Sequence, residues 1–287
     1  MKRVLFVLLT ILTVVSTGCK KRDPLGKKGD KVVKESVVIV DGEEVQYSTG
    51  NLLGVIEGKN VESLVWKTGS IGASDIDALK KNCQTSLKHL DMERVNFASG
   101  FGTYDIESYG TTANIKGPFI VPAEMCRNFA VLESVILPAV ATTIDIFAFS
   151  GCTSLKEVRF GNKLTTIERY SFMGCAMEHI EFPESLKTLG EEVFYNVPLK
   201  EITIPAGVTG FYDDTFIFYR LVSKLEKVTC NGTTPPAIRH STTLNQCENV
   251  FNLTPDSFKI FVPKKAVEAY KNAAYWSAHA DQIEGMD

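Results

Sequence analysis

The chain has 287 residues, 44% of them hydrophobic and 23% charged, and a formal net charge of −3. That near-neutral balance, with no basic stripe carrying interleaved aromatics, excludes a nucleic-acid partner. A chain of this length predicts one or two ordinary domains, or a single elongated body if the sequence repeats.

In chain order, residues 1–18 place Lys2 and Arg3 ahead of an apolar run that closes in Ser16, Thr17 and Gly18 before Cys19. This pattern is an export signal and stands outside the fold. It resembles a bacterial lipoprotein signal, which implies cleavage before Cys19, a lipid on its thiol and attachment to a membrane through lipid alone. Without Lys2 and Arg3 the net charge becomes −5. No later segment is apolar enough to cross a bilayer, because the longest candidate, Phe129 to Phe149, is broken by Glu133, Pro138 and Asp145.

Residues 19–36 are rich in Lys and Gly and read as a flexible linker. Residues 37–118 read as an amino-terminal cap with degenerate repeats. A β-branched strand, SVVIV, leads into an Asp41-Gly42 turn; Ser63–Lys67 and Leu87–Met92 are irregular rungs; DIDALKKN is a helix between them. Ala98 to Lys116 breaks the pattern as a Gly- and Tyr-rich excursion.

Residues 119–230 carry the regular repeats. Ile144, Ile167, Leu189 and Phe211 step by 23, 22 and 22 residues, and Phe149, Phe172, Phe194 and Phe216 follow at the same offset. A fixed period in the twenties marks a solenoid whose units bury their apolar faces against their neighbours. The motif L-x-x-V-x-F recurs as Leu155-Val158-Phe160, Met177-Ile180-Phe182 and Leu199-Ile202-Ile204. Its alternation predicts one short strand per repeat, and so about seven or eight stacked strands. Residues 231–287 hold a polar excursion, a last strand at Phe258–Pro263 and a closing helix built on Val267, Tyr270, Ala274, Trp276 and Ile283. Six cysteines follow Cys19; Cys152 and Cys175 share one repeat position and read as stacked buried thiols.

The repeat motif together with VESLVWKTGS…LKHLDMERV and VP…AVEAYKNAAYWSAHADQI resembles the BspA-type leucine-rich repeat proteins of Bacteroidetes, from about residue 37 to 284. The resemblance implies an α/β-type repeat solenoid of short parallel strands, capped at both ends, working in adhesion or other non-catalytic protein binding at the cell envelope. It further implies an outer-membrane lipoprotein. Acidic residues after the lipidated cysteine favour surface export in this phylum, whereas Lys20, Lys21, Arg22 and Asp23 stand here, so the cell surface and the periplasmic face both stay open.

Outward strand positions supply a candidate binding face of Ser134, Ile136, Glu157, Arg159, His179, Glu181, Glu201, Thr203, Lys227 and Thr229. In the first excursion, Phe101, Tyr104 and Tyr109 are candidate contacts for a sugar ring. They carry the alternative reading, a glycan-binding or envelope-structural lipoprotein associated with nutrient uptake. No hydrolase, zinc-protease or phosphate-loop motif occurs, and no Cys/His spacing fits a metal, so neither catalysis nor a cofactor is expected.

Overall fold

The computed structural model describes residues 35–99, 103–106, 111–212, 224–239, 251 and 255–287. Strands β1 (Glu35–Val40) and β2 (Glu43–Ser48) form an antiparallel hairpin. Its turn, Asp41-Gly42, is left-handed at both residues, with φ of 48° and 90°, as a two-residue hairpin turn requires. β1 pairs antiparallel with β3 (Ser63–Thr68) on its other edge. From β3 the sheet runs parallel through β4 (His89–Asp91), β5 (Ser134–Ile136) and β6 (Glu157–Arg159). A second parallel run holds β7 (Glu201–Ile204), β8 (Lys227–Cys230), β9 (Lys259–Pro263) and β10 (Ile283–Met286).

The regular repeats contribute two strands, save the one holding residues 178–182, where the motif alone predicts one in each. The second ladder joins Ile120–Val121, Thr143–Ile144, Thr166–Ile167, Thr188–Leu189, Gly210–Tyr212 and Ala237–Arg239 in parallel. These strands are mostly two residues long, too short for alternation to register in the sequence. The anchors nevertheless land side by side: Ile144 opposes Ile167, which opposes Leu189, which opposes Phe211.

Between ladders the chain turns through two left-handed residues per repeat. Glu124, Phe147, Tyr170 and Glu192 occupy the first such position, with φ from 46° to 60°. The second is held by Asn128, Gly151, Gly174 and Asn196, the residue types that enter this region at least cost. The turns also bond rung to rung, as in Phe149 N–H to Ser171 O at 2.8 Å and Gly151 N–H to Met173 O at 2.8 Å.

The core is a column. Phe149, Phe172 and Phe194 are fully buried and nearly parallel, with ring centroids 5.5 and 6.2 Å apart. Cys152 and Cys175 donate to Cys126 O at 3.0 Å and Phe149 O at 3.2 Å. Cys83, Cys126, Cys152, Cys175 and Cys230 are buried free thiols. Burial pushes Cys83 up to about 11 and Cys152 up to about 12, which leaves them un-ionised and inert.

At the amino-terminal end the helix Ala73–Cys83 is tied down by Asp75, whose carboxylate accepts backbone N–H bonds from Gly50, Gly72 and Leu52 at 2.8, 2.8 and 2.9 Å. Burial raises the pKa of Asp75, and those three bonds oppose the shift. The first excursion contains a hairpin, Thr103–Ile106 against Thr111–Asn114. At the other end, Phe258–Pro263 is not the last strand. After a short helix, Val267–Asn272, the chain returns as β10 and pairs with β9, so a strand rather than the helix covers that edge. Tyr270, Trp276 and Ile283 pack inward, but Ala274 is exposed.

One predicted rung is missing. Residues 178–182 form no strand, so the strand face stops at β6 and resumes at β7.

Candidate functional site

The break in the strand face can be followed bond by bond. At several rungs the carbonyl just before the strand accepts two N–H groups from the next rung. Lys88 O takes Glu133 and Ser134 at 2.8 and 3.1 Å, Glu133 O takes Lys156 and Glu157 at 3.0 and 3.3 Å, and Lys200 O takes Glu226 and Lys227 at 2.8 and 3.2 Å. Lys156 O takes neither Glu178 nor His179. At the far end of the strand, Met92 N–H reaches Ile136 O and Leu137 N–H reaches Arg159 O, both at 2.9 Å, while Phe160 N–H reaches no carbonyl among the described residues.

The rungs are held on both sides of this opening. The turns before it bond as described above, and after it Thr188 N–H reaches Thr165 O at 3.0 Å and Gly190 N–H reaches Ile167 O at 2.8 Å. Below it, Phe160 and Phe182 keep ring contact at 5.9 Å. The result is a local slit closed at its ends, with a volume of about 560 Å³. One wall is Lys156, Glu157, Val158 and Arg159; the other is Ala176, Glu178, His179, Ile180 and Glu181. Val158 is only half-buried, whereas its equivalents Val135, Ile202 and Val228 are at most 2% exposed. Phe160 and Phe182 are likewise only partly covered.

The spacing of the repeat shortens just before the break. Cys152 and Leu155 are separated by two residues, but Cys175 and Met177 by one, and here the period shortens from 23 to 22.

Charge pairing changes at the same place. The residue before each strand alternates in sign along the stack: Glu62, Lys88, Glu133, Lys156, Glu178, Lys200, Glu226. Lys88 bonds Glu62 at 2.9 Å and Lys200 bonds Glu178. The Glu62 hydrogen bond and charge raise the Lys88 pKa, and the Lys200 hydrogen bond and charge lower that of Glu178. Further cross-rung pairs are Lys67–Glu44 at 2.6 Å, Lys227–Glu201 at 3.5 Å and Lys259–Glu284 at 2.7 Å. Exposed pairs of this kind contribute little to stability. Around the slit, Lys156, Glu157, Arg159 and Glu181 form no ion pair among the described residues.

The structure thus divides the ten predicted face residues. Glu157, Arg159, His179 and Glu181 meet at the slit. Ser134 and Ile136 oppose Glu157 and Arg159 from β5, and Ser134 hydroxyl also meets His89 Nδ1 at 2.9 Å. Glu201 and Thr203 on β7 oppose Lys227 and Thr229 on β8, beyond the break. Tyr104 is withdrawn from the candidate sugar contacts: it is 1% exposed, because the hairpin folds it into the core. Phe101, Tyr109 and Cys19 lie outside the described residues. Lys156, Glu178 and Ala176 were missed as site residues; the alternating charge column and the shortened Cys175–Met177 spacing were the signals for them.

Among solved structures, the chain is similar to a leucine-rich repeat protein from Eubacterium ventriosum, at 17% identity over 70% of this chain and 51% of that one, with a TM-score of 0.45. It is also similar to the T. pallidum leucine rich repeat protein, at 16% identity over 68% of this chain and 84% of that one, with a TM-score of 0.44. A third is a leucine-rich repeat protein from Bacteroides ovatus, at 16% identity over 70% of this chain and 56% of that one, with a TM-score of 0.37. The chain spans about half the length of the first and third. Comparison with curated proteins gives no match. The family model for the BspA type leucine rich repeat region matches six copies across residues 120–258. Residues 120–258, with their paired short parallel strands, are thus a BspA-type leucine-rich repeat region.

Proposed function

We propose that this protein is a lipid-anchored, non-catalytic binding protein of the cell envelope that engages a protein partner through its strand face. The observation that carries this reading is the slit between β6 and residues 178–182, where an apolar floor meets Lys156, Glu157, Arg159 and Glu181, which form no ion pair among the described residues. Elsewhere on the face several charges pair across rungs, so at the slit burial by a partner yields new contacts instead of replacing old ones. Adhesion is the form of such binding that a surface location allows; periplasmic partners are the form the other face allows. With Tyr104 in the core, no observation favours the glycan reading.

A photo-crosslinking amino acid placed at Thr203, Thr229 or His179 tests the binding face, with exposed Glu184 and Lys187 as controls off that face. Discrete adducts from the face and none from the controls are expected; equal adducts from both sets would overturn the assignment. Proteinase K on intact cells, with Cys19→Ala to test the anchor, decides the membrane face. Digestion supports adhesion, and protection until the outer membrane is opened refutes it.

A further inference from the structure

We propose that the slit is a slot for an extended segment of the partner protein carrying a basic–apolar–acidic triplet, laid parallel to β6. This rests on the protein-binding reading above and specifies its ligand chemistry.

The backbone argument comes first. In a parallel strand successive residues direct their N–H and C=O to opposite sides. Glu157 N–H and Arg159 C=O are turned toward β5, bonding at 3.3 and 2.9 Å, so the N–H and C=O of Val158 face the slit. Lys156 C=O and Phe160 N–H join them without a backbone partner among the described residues. Four polar backbone groups within five residues form an open strand edge, which a peptide backbone satisfies better than any side chain. The groups span about 13 Å at the strand rise of ~3.3 Å per residue, so a short extended segment suffices. Phe160 and Phe182, 5.9 Å apart, close the floor. The segment therefore lies along the mouth of the slit, bonded to the β6 wall.

The charges set its sequence. Glu157 and Arg159 stand two residues apart on the exposed face, with half-buried Val158 between them. Directly opposed positions in a ladder favour opposite charges and penalise like ones. A parallel occupant thus wants a basic side chain beside Glu157, an acidic one beside Arg159, and between them an apolar side chain directed at the floor. The chain's own next rung, His179-Ile180-Glu181, has this order, yet it forms neither ladder bond nor ion pair with β6. That leaves the edge open to a competing segment.

The test uses the purified full chain in detergent and two fluorescein-labelled octapeptides, Ser-Thr-Lys-Val-Glu-Val-Thr-Ser and Ser-Thr-Glu-Val-Lys-Val-Thr-Ser, read by anisotropy. The first should bind at least tenfold more tightly, and the double variant Glu157→Arg with Arg159→Glu, at exposed positions, should reverse the preference. Methylating the backbone nitrogens of the first peptide should weaken it at least tenfold. Equal affinity of the two peptides, a preference untouched by the charge swap, unchanged binding after methylation, or no saturable binding of either peptide each overturns the slot. If adducts from Thr203 and Thr229 persist unchanged in the charge-swapped protein, the slot fails while the strand face remains the binding surface. If those adducts are absent as well, the whole reading fails.

Discussion

Replacing Phe172 by alanine tests whether the repeats cohere as the core column implies. The ring is fully buried, stacked between Phe149 at 5.5 Å and Phe194 at 6.2 Å, with Phe160 edge-on at 6.0 Å. Phe→Ala in a packed core costs about 3–5 kcal/mol, more where the cavity cannot collapse. Collapse is blocked here, because the backbone on each side is bonded to its neighbours: Phe149 N–H to Ser171 O at 2.8 Å and Phe172 N–H to Val193 O at 3.1 Å. The flanking ring pairs fall in the 4.5–7 Å range that adds about 0.5–1.5 kcal/mol per pair beyond burial. We expect a loss near 4 kcal/mol, a large part of the ~5–15 kcal/mol typical of a domain. Urea unfolding followed by circular dichroism measures it, and a lowered m-value would report that the two halves of the stack unfold separately. Phe147→Ala is the control. That ring is half-buried, stacked on Tyr170 at 4.8 Å under the Arg127 guanidinium, and it sits on a left-handed residue. A loss of about 1 kcal/mol is expected there. If Phe172→Ala costs less than about 1.5 kcal/mol, or no more than the control, the column is not what holds the rungs together.

Three other outcomes follow from particular contacts. In hydrogen exchange, the amides of Val158 and Phe160 should show at least about tenfold less protection than those of Glu157 and Leu137, which bond to Glu133 O and Arg159 O; equal protection would mean that the slit is closed in solution. Gly190→Ala should cost about 1–3 kcal/mol, since a Cβ there lies 2.5 Å from Arg169 N and 2.8 Å from Glu168 C, backbone atoms that cannot swing aside. Gly54→Ala, whose nearest neighbour is 3.6 Å away, should be close to neutral in the same melt. His279 packs edge-on against Phe251 and Phe258 and its pKa is lowered, chiefly by burial, with the Gln282 hydrogen bond opposing. The fold therefore prefers the neutral ring: its contribution is intact above the unfolded value near 6.5 and is lost as pH falls below it. Melting temperature measured from pH 7.5 to 5.5 should drop more steeply in the native protein than in His279→Leu, and parallel slopes would refute the assignment.

The architecture was legible because repetition makes the same physical demand again and again. Ile144, Ile167, Leu189 and Phe211 recur at near-constant spacing, and they pair rung to rung. Phe149, Phe172 and Phe194 do the same in the core. The outward residues of the strand face were legible from alternation alone, and every one of the ten is at least partly exposed. The Thr143–Ile144 ladder escaped notice because two residues carry no period. The end strand Ile283–Met286 escaped because IEGM has no strand pattern of its own; it is a strand only because β9 offers an edge to pair with.

The break between β6 and β7 shows where the division lies. Leu155-Val158-Phe160 and Met177-Ile180-Phe182 satisfy one motif equally well, yet the first is a strand and the second is not. Side-chain burial is a local requirement written residue by residue, so the sequence by itself determined the repeat, its period, its core positions and its outward face. A ladder bond depends on two rungs being in step, which is a property of the pair and not of either rung's residues. Tertiary structure alone decided that Lys156, Glu157, Arg159 and Glu181 would gather around one slit, because their meeting there follows from the relative placement of two rungs, which neither rung encodes by itself.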